Sequence, residues 1–379
     1  MEIDRRRFLA LLAASGAGAL ATGLAWARSA ADGAAPLPGI GAARYLAARQ
    51  HAGRFEAALL DGQGRDQQVL PLPGRGHSFA IDAARGRAVA FGRQPGFFAV
   101  AFDVAGEQAL QSLDVAPGRH FFGHGVYSPD GQLMLATEND YEAGRGVLGI
   151  YDASPRGAYR RVGEFSTYGV GPHEVVLMPD GGTVCVANGG ILTHPDYGKL
   201  QLNADTMQPS LAYIDIASGD LLEQVYLDKA LSRLSIRHMV VDGTGAVWFG
   251  CQHTGPAHEQ PALVGRHRRG AAPDLFTGAS DVLRSMRNYV GSLAVSHDGL
   301  TVATSSPVGG LVAYWDAQSG RCLGSTPVFD GCGVAPAPAG GFLVSSGEGV
   351  LTYSMAGREQ AQQIARTDGL AWDNHLRRF

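Results

Sequence analysis

Cysteine is scarce in this chain and carries no pattern. Cys185, Cys251, Cys322 and Cys332 show neither CxxC nor CxxxH spacing, which removes thiolate metal clusters and thioredoxin-like redox chemistry. They read as buried free thiols, although an oxidising compartment would permit a disulfide. The motifs GxSxG and HExxH are missing as well, so the chain offers no nucleophile elbow and no zincin helix. Basic residues do not dominate: 31 Lys and Arg face 35 Asp and Glu, a formal net charge of -4. That balance argues against a nucleic-acid binder. Long helical periodicity is rare, and beyond the first 27 residues no stretch is long and apolar enough to cross a membrane.

The N-terminus is set apart. Arg5 and Arg6 precede Phe8 and Leu9, an uncharged run rich in Ala, Leu and Gly follows, and Ala25-Trp26-Ala27 ends it. This order is that of a secretory signal, and the paired arginines resemble a twin-arginine (Tat) signal; an uncleaved anchor is the alternative. We expect a signal peptide over residues 1–27, a small-residue linker over 28–42, and a mature protein exported already folded to a bacterial periplasm.

What is abundant is glycine, 53 residues, set among short apolar runs. The runs repeat. VYSPDGQLMLAT (126–137) recurs as VLMPDGGTVCVAN (176–188), VVDGTGAVWFGC (240–251), LAVSHDGLTVATSS (293–306) and VAPAPAGGFLVSSG (334–347), with an earlier copy, FAIDAARGRAVAFGR, at 79–93. A second signature follows most copies, an apolar pair and a Gly-containing turn, as in YIDIASGD (213–220) and YWDAQSGR (314–321); the fourth copy has a degraded version. Asp and Gly at such places set tight turns between strands, so each repeat holds four strands. Repeats of roughly 40–50 residues with four strands predict an all-β fold, the β-propeller. TDGLAW (367–372) reads as the first strand of a seventh unit whose other three strands lie in Arg44–Leu72. The expectation is one seven-bladed propeller over residues 43–379, its last blade closed by strands from both termini so that no sheet edge is left between first and last blade.

Polar residues recur where the first strands begin. Four consecutive blades place His77, His124, His173 (followed by Glu174) and His238 within one residue of a common position, though one register apart in pairs. The ends of the second strands add Asn139, Asp140 and Asn188, and arginines recur nearby at Arg75, Arg119, Arg237 and Arg287. Loops from all blades converge at a propeller's channel mouth, which makes it the expected site. The loop from Asn188 to about Pro209 is long enough to cover it. Three readings stay open. The histidines brace neighbouring blades; or His77, His124, His173, His238, Glu174 and Asp140 hold a metal, iron or copper; or Arg75, Arg119, Arg237 and Arg287 with Asn139 and Asn188 take an anionic or metal-chelate ligand. The arginines tilt the balance toward the last.

With the RGH, FGH and GPH motifs and the closing GLAWDNH (369–375), the chain resembles a family of periplasmic Tat-exported seven-bladed propellers catalogued as a domain of unknown function. Members are often encoded near imelysin-like iron-uptake proteins. The resemblance implies a ligand-binding accessory in iron or metal acquisition, working with a small-molecule or chelate ligand and with other periplasmic iron-uptake proteins. The alternative is a metal-dependent, lactonase-like hydrolase using a His/Glu/Asp set at the same mouth.

Overall fold

The computed structural model describes residues 40–379 except Lys199, so the expected signal segment and nearly all of the linker lie outside the described residues. Seven four-stranded antiparallel sheets follow one another around a ring. Blades one to six are consecutive in the chain, with innermost strands Gly76–Asp82, Arg119–Tyr127, Pro172–Leu177, Leu234–Val241, Ser292–Val295 and Gly331–Pro336. The seventh blade closes the ring. Its innermost strand, Leu370–Arg378, pairs with Arg44–His51, which leads outward to Arg54–Asp61 and Asp66–Pro71.

The repeated Asp-Gly turns explain the hairpins. In blade two, Asp130 Oδ1 accepts from the Gln132 amide at 2.9 Å while Gly131 takes φ 65°, a left-handed conformation that glycine adopts without steric cost. Large side chains between neighbouring sheets make the core: Phe91, Phe121 and Tyr151 seal blade one to blade two, and Trp248 and Trp315 seal blade four to blade five. All five are essentially inaccessible to solvent. Blade four has short outer strands, Val264–His267 and Asp274–Phe276, where the repeat signature is degraded. The four cysteines are free, and Cys185, Cys251 and Cys332 are buried in or beside strands. No helix among the described residues is long and apolar enough to cross a membrane.

One departure from the ideal ladder positions the site. Most innermost strands break register with their neighbour close to the axis: between Gly76 and Phe79, Phe121 and Gly125, Pro172 and Glu174, Ile236 and His238, and, on the closing strand, between Trp372 and Leu376. An extra residue in one strand bends it and re-aims side chains.

Candidate metal centre on the propeller axis

These bulges hold the histidines. His77 and His124 lie inside them, His173 is the extra residue before Glu174, and Arg237 is the extra residue before His238. The one-residue offset between the pairs in sequence is absorbed by bulges of different length, and all four rings meet on the axis. A fifth joins them, His375, from the closing strand. Ring centroids are 4.6 Å apart for His77 and His375, 4.7 Å for His124 and His375, 4.7 Å for His238 and His375, and 4.6 Å for His173 and His238. Close approach demands glycine at one point. Gly123 has φ 104°, and a Cβ there would stand 2.5 Å from His77 Cδ2.

Two carboxylates stand behind the rings. Glu174 Oε1 lies 3.5 Å from His124 Nδ1 and Oε2 3.4 Å from His238 Nδ1, while Oε2 also accepts from the Met239 amide at 3.0 Å and Arg377 binds the same carboxylate. Asp373 Oδ1 lies 3.2 Å from His77 Nδ1, and Arg93 and Arg75 pair with the same group. A proton on Nδ1 facing a carboxylate leaves Nε2 as the free lone pair, the arrangement in which metal-binding imidazoles are oriented from behind.

Burial sets the charge state. It pushes His77 down to about 3 and His238 to about 4, against the pull of Asp373 and Glu174 respectively, and lowers His124, His173 and His375 as well. All five are therefore neutral near pH 7. Burial alone would raise the two acids; Arg377 and His124 hold Glu174 well below its usual range, and His77, Arg93 and Arg75 do so for Asp373. The site is a set of neutral donors backed by two fixed anions.

Two triples bring donor atoms within 4.8 Å of one another: His77, His124 and His375, and His124, His173 and His238. His124 belongs to both. Three buried ring nitrogens, His124 Nε2, His173 Nδ1 and His375 Nε2, have no hydrogen-bond partner, while His238 Nδ1 has only the Glu174 carboxylate at 3.4 Å. A cavity of about 640 Å³ opens beside the cluster, with His77, His173 and His238 in its wall. Gly189, Ile191, Thr193 and Gln201 of the long loop also line it. That loop is anchored, since Asn139 Nδ2 donates to Thr193 O at 3.1 Å and Gln94 Nε2 to Thr193 Oγ1 at 3.0 Å.

Residues 70–379 match a family described as a protein of unknown function, DUF1513. The chain belongs to that family. No curated protein matches it. Among solved structures, Kuenenia stuttgartiensis hydrazine synthase is similar over 84% of this chain and 91% of that one, at 14% identity and a TM-score of 0.58. The β-propeller domain of Myceliophteria thermophila Cps50 (Swd1) is similar over 84% and 89%, at 10% identity and a TM-score of 0.55. At such identities the likeness is one of fold alone.

In this DUF1513 chain the other expected residues divide. Arg237 and Arg287 line the cavity. Arg75 reaches the site only through Asp373. Asp140 does not join the histidines: it pairs with Arg119 at 2.7 Å and Arg145 at 2.8 Å, and Arg119 continues to Glu164 on the blade's outer strand. The expectation that the acidic end of the blade-two hairpin returns beside His124 is corrected by register. Asp140 lies opposite Arg119 and Glu138 opposite Phe121, so His124 sits well inside its strand, and Glu138 is taken by Tyr151 and Arg161. Asn188 is likewise internal, donating to Thr167 O at 2.8 Å.

Sequence reasoning missed His375 and Asp373. The closing GLAWDNH extends the first strand of blade seven, and a histidine at its sixth position, one residue on from the fifth-position His238 of Leu234–Val241, is the available signal.

Proposed function

We propose that this protein is a periplasmic binding propeller that takes a first-row transition metal ion, iron or copper, on its axial histidines, as an accessory in metal acquisition. The observation that carries the reading is the set of three buried imidazole nitrogens without partners in one cluster, His124 Nε2, His173 Nδ1 and His375 Nε2. A buried polar atom left unsatisfied costs about 1–3 kcal/mol, so three together make a poor structural brace and a good donor set. Neutral imidazoles suit iron, copper and zinc. Glu174 and Asp373 supply the oriented outer shell whose loss elsewhere weakens metal binding about 10–100-fold. Three nitrogens about 2.1 Å from one ion stand about 3.4–3.6 Å apart, so donor atoms within 4.8 Å of one another close on an ion after side-chain shifts of about 1 Å.

A hydrolytic role is less well supported. The carboxylate such chemistry would use as a base, Glu174, is held as an anion by Arg377 and is a weak proton acceptor. The location and the link to iron uptake rest on the Tat-like leader and on the family resemblance.

The test is elemental analysis of protein exported to the periplasm, and of chelator-stripped protein re-exposed to Fe(II) or Cu(II). About one equivalent of iron or copper is expected in the parent, with an affinity at least about tenfold lower in His124→Ala. A parent that retains neither ion under either condition overturns the reading.

A further inference from the structure

We infer that the cavity over the histidines is a subsite for a small organic polycarboxylate, which reaches the axial ion from the solvent side. This rests on the metal reading for the ion itself but on separate residues for the anion. Three arginines, Arg93, Arg237 and Arg287, line the cavity, and no aspartate or glutamate does. Arg93 is neutralised by Asp373 at 2.8 Å. Arg237 and Arg287 have no acid within ion-pair range among the described residues.

Arg237 is the more telling. It is the extra residue of the blade-four bulge, and its Nε is buried without a hydrogen-bond partner. A half-buried cation without a counter-ion is costly, and an anion supplied from outside relieves that cost. Guanidinium forks match carboxylates in geometry as well as charge.

The cavity argues for an organic acid over a lone inorganic oxyanion. About 640 Å³ lies within the ~300–1,000 Å³ range of small-molecule sites. Its wall alternates polar groups with Phe122, Ile191 and Val308, a surface suited to a carbon skeleton. Asn374, fixed by donating to Tyr289 OH at 2.8 Å, adds a polar group to this wall. Because His77, His173 and His238 share this wall, one carboxylate can face the ion while another meets Arg237.

Calorimetric titration of chelator-stripped protein with citrate and with tricarballylate tests this directly, with inorganic phosphate as the third titrant. Saturable binding of at least one of the two acids is expected in the parent, weakened about tenfold in both Arg237→Gln and Arg287→Gln. Arg287 is exposed, so its variant remains informative if the Arg237 variant fails to fold. Parent-like binding in both variants, no binding of either acid to the parent, or equal binding of phosphate overturns the inference. Metal content of the His124→Ala protein is measured separately, so a failure of the metal reading leaves a different record from a failure of this one.

Discussion

Five blades of the ring, seven and one to four, each send a histidine to the axis; blades five and six do not. Their innermost strands carry Ser292 and Cys332-Gly333, and the polar groups there are satisfied locally. Ser345 Oγ accepts from the Gly333 amide at 3.1 Å, and Ser305 Oγ donates to Cys332 O. Blade six is bulged like blade one, between Gly331 and Val334, but Cys332 stands where blade one has His77, and Gly333 follows it. A Cβ on Gly333 would stand 2.3 Å from Leu376 N, so this strand seals against the closing strand. The same device, a bulge in the innermost strand, presents side chains in one arc of the ring and closes the channel wall in the other. The difference is that one arc leaves donor atoms without partners and the other leaves none among the groups just named.

Acid should separate the two arcs most strongly. Histidine at its ordinary value of 6.5 in the unfolded chain takes up protons that buried His77 and His238 refuse until about 3 and about 4. The unfolded state therefore binds more protons throughout that window, and stability falls as pH drops below 6.5. At pH 5 each such histidine costs roughly 2 kcal/mol. Urea unfolding of metal-free protein from pH 8 to 4 should show this loss, with a shallower slope in His238→Gln and a parent-like slope in Ser345→Ala. Equal slopes in parent and His238→Gln would mean that the histidine arc is not titrating as described.

Glu174 gives the next largest effect. It is buried, takes the Met239 amide and stands between two histidines and Arg377. Removing one partner of a buried ion pair leaves the other uncompensated, so Glu174→Gln should cost about 3 kcal/mol. It should also weaken metal binding about 10–100-fold through the lost orientation of His124 and His238. Loss of stability with metal affinity intact would assign Glu174 to the fold alone.

The seven blades and their closure were legible in the sequence because hairpin turns leave local marks: Asp-Gly and Gly-rich steps recur at fixed distance from apolar runs. The axial residues were legible only in part. His77, His124, His173 and His238 showed as a recurrence, but bulges shift register by a residue or two, and period-two reasoning cannot say which neighbours then face the axis. Asp140 and Asn139 showed as a polar cluster at a strand end, yet their partners, Arg145 and Thr193, are set by pairing and loop packing that no short window encodes. His375 was hidden for another reason. It belongs to a half-blade at the chain's end, where there is no following hairpin to align it with.

The smallest effect is expected in the arc without histidines. Ser345→Ala removes the acceptor for the Gly333 amide at a bulge, where no ladder partner is available to replace it. One lost hydrogen bond to a buried amide costs about 1 kcal/mol. Because Gly333 packs on the backbone of His375 and Leu376, the closing strand feels the change, but the ring of His375 is held from the other side by His77, His124 and His238. Metal content should therefore match the parent while the denaturation midpoint moves slightly down. Metal lost in step with Ser345→Ala would show that the sealing arc also fixes the donor geometry, and that the division between the two arcs is one of residue type and not of role.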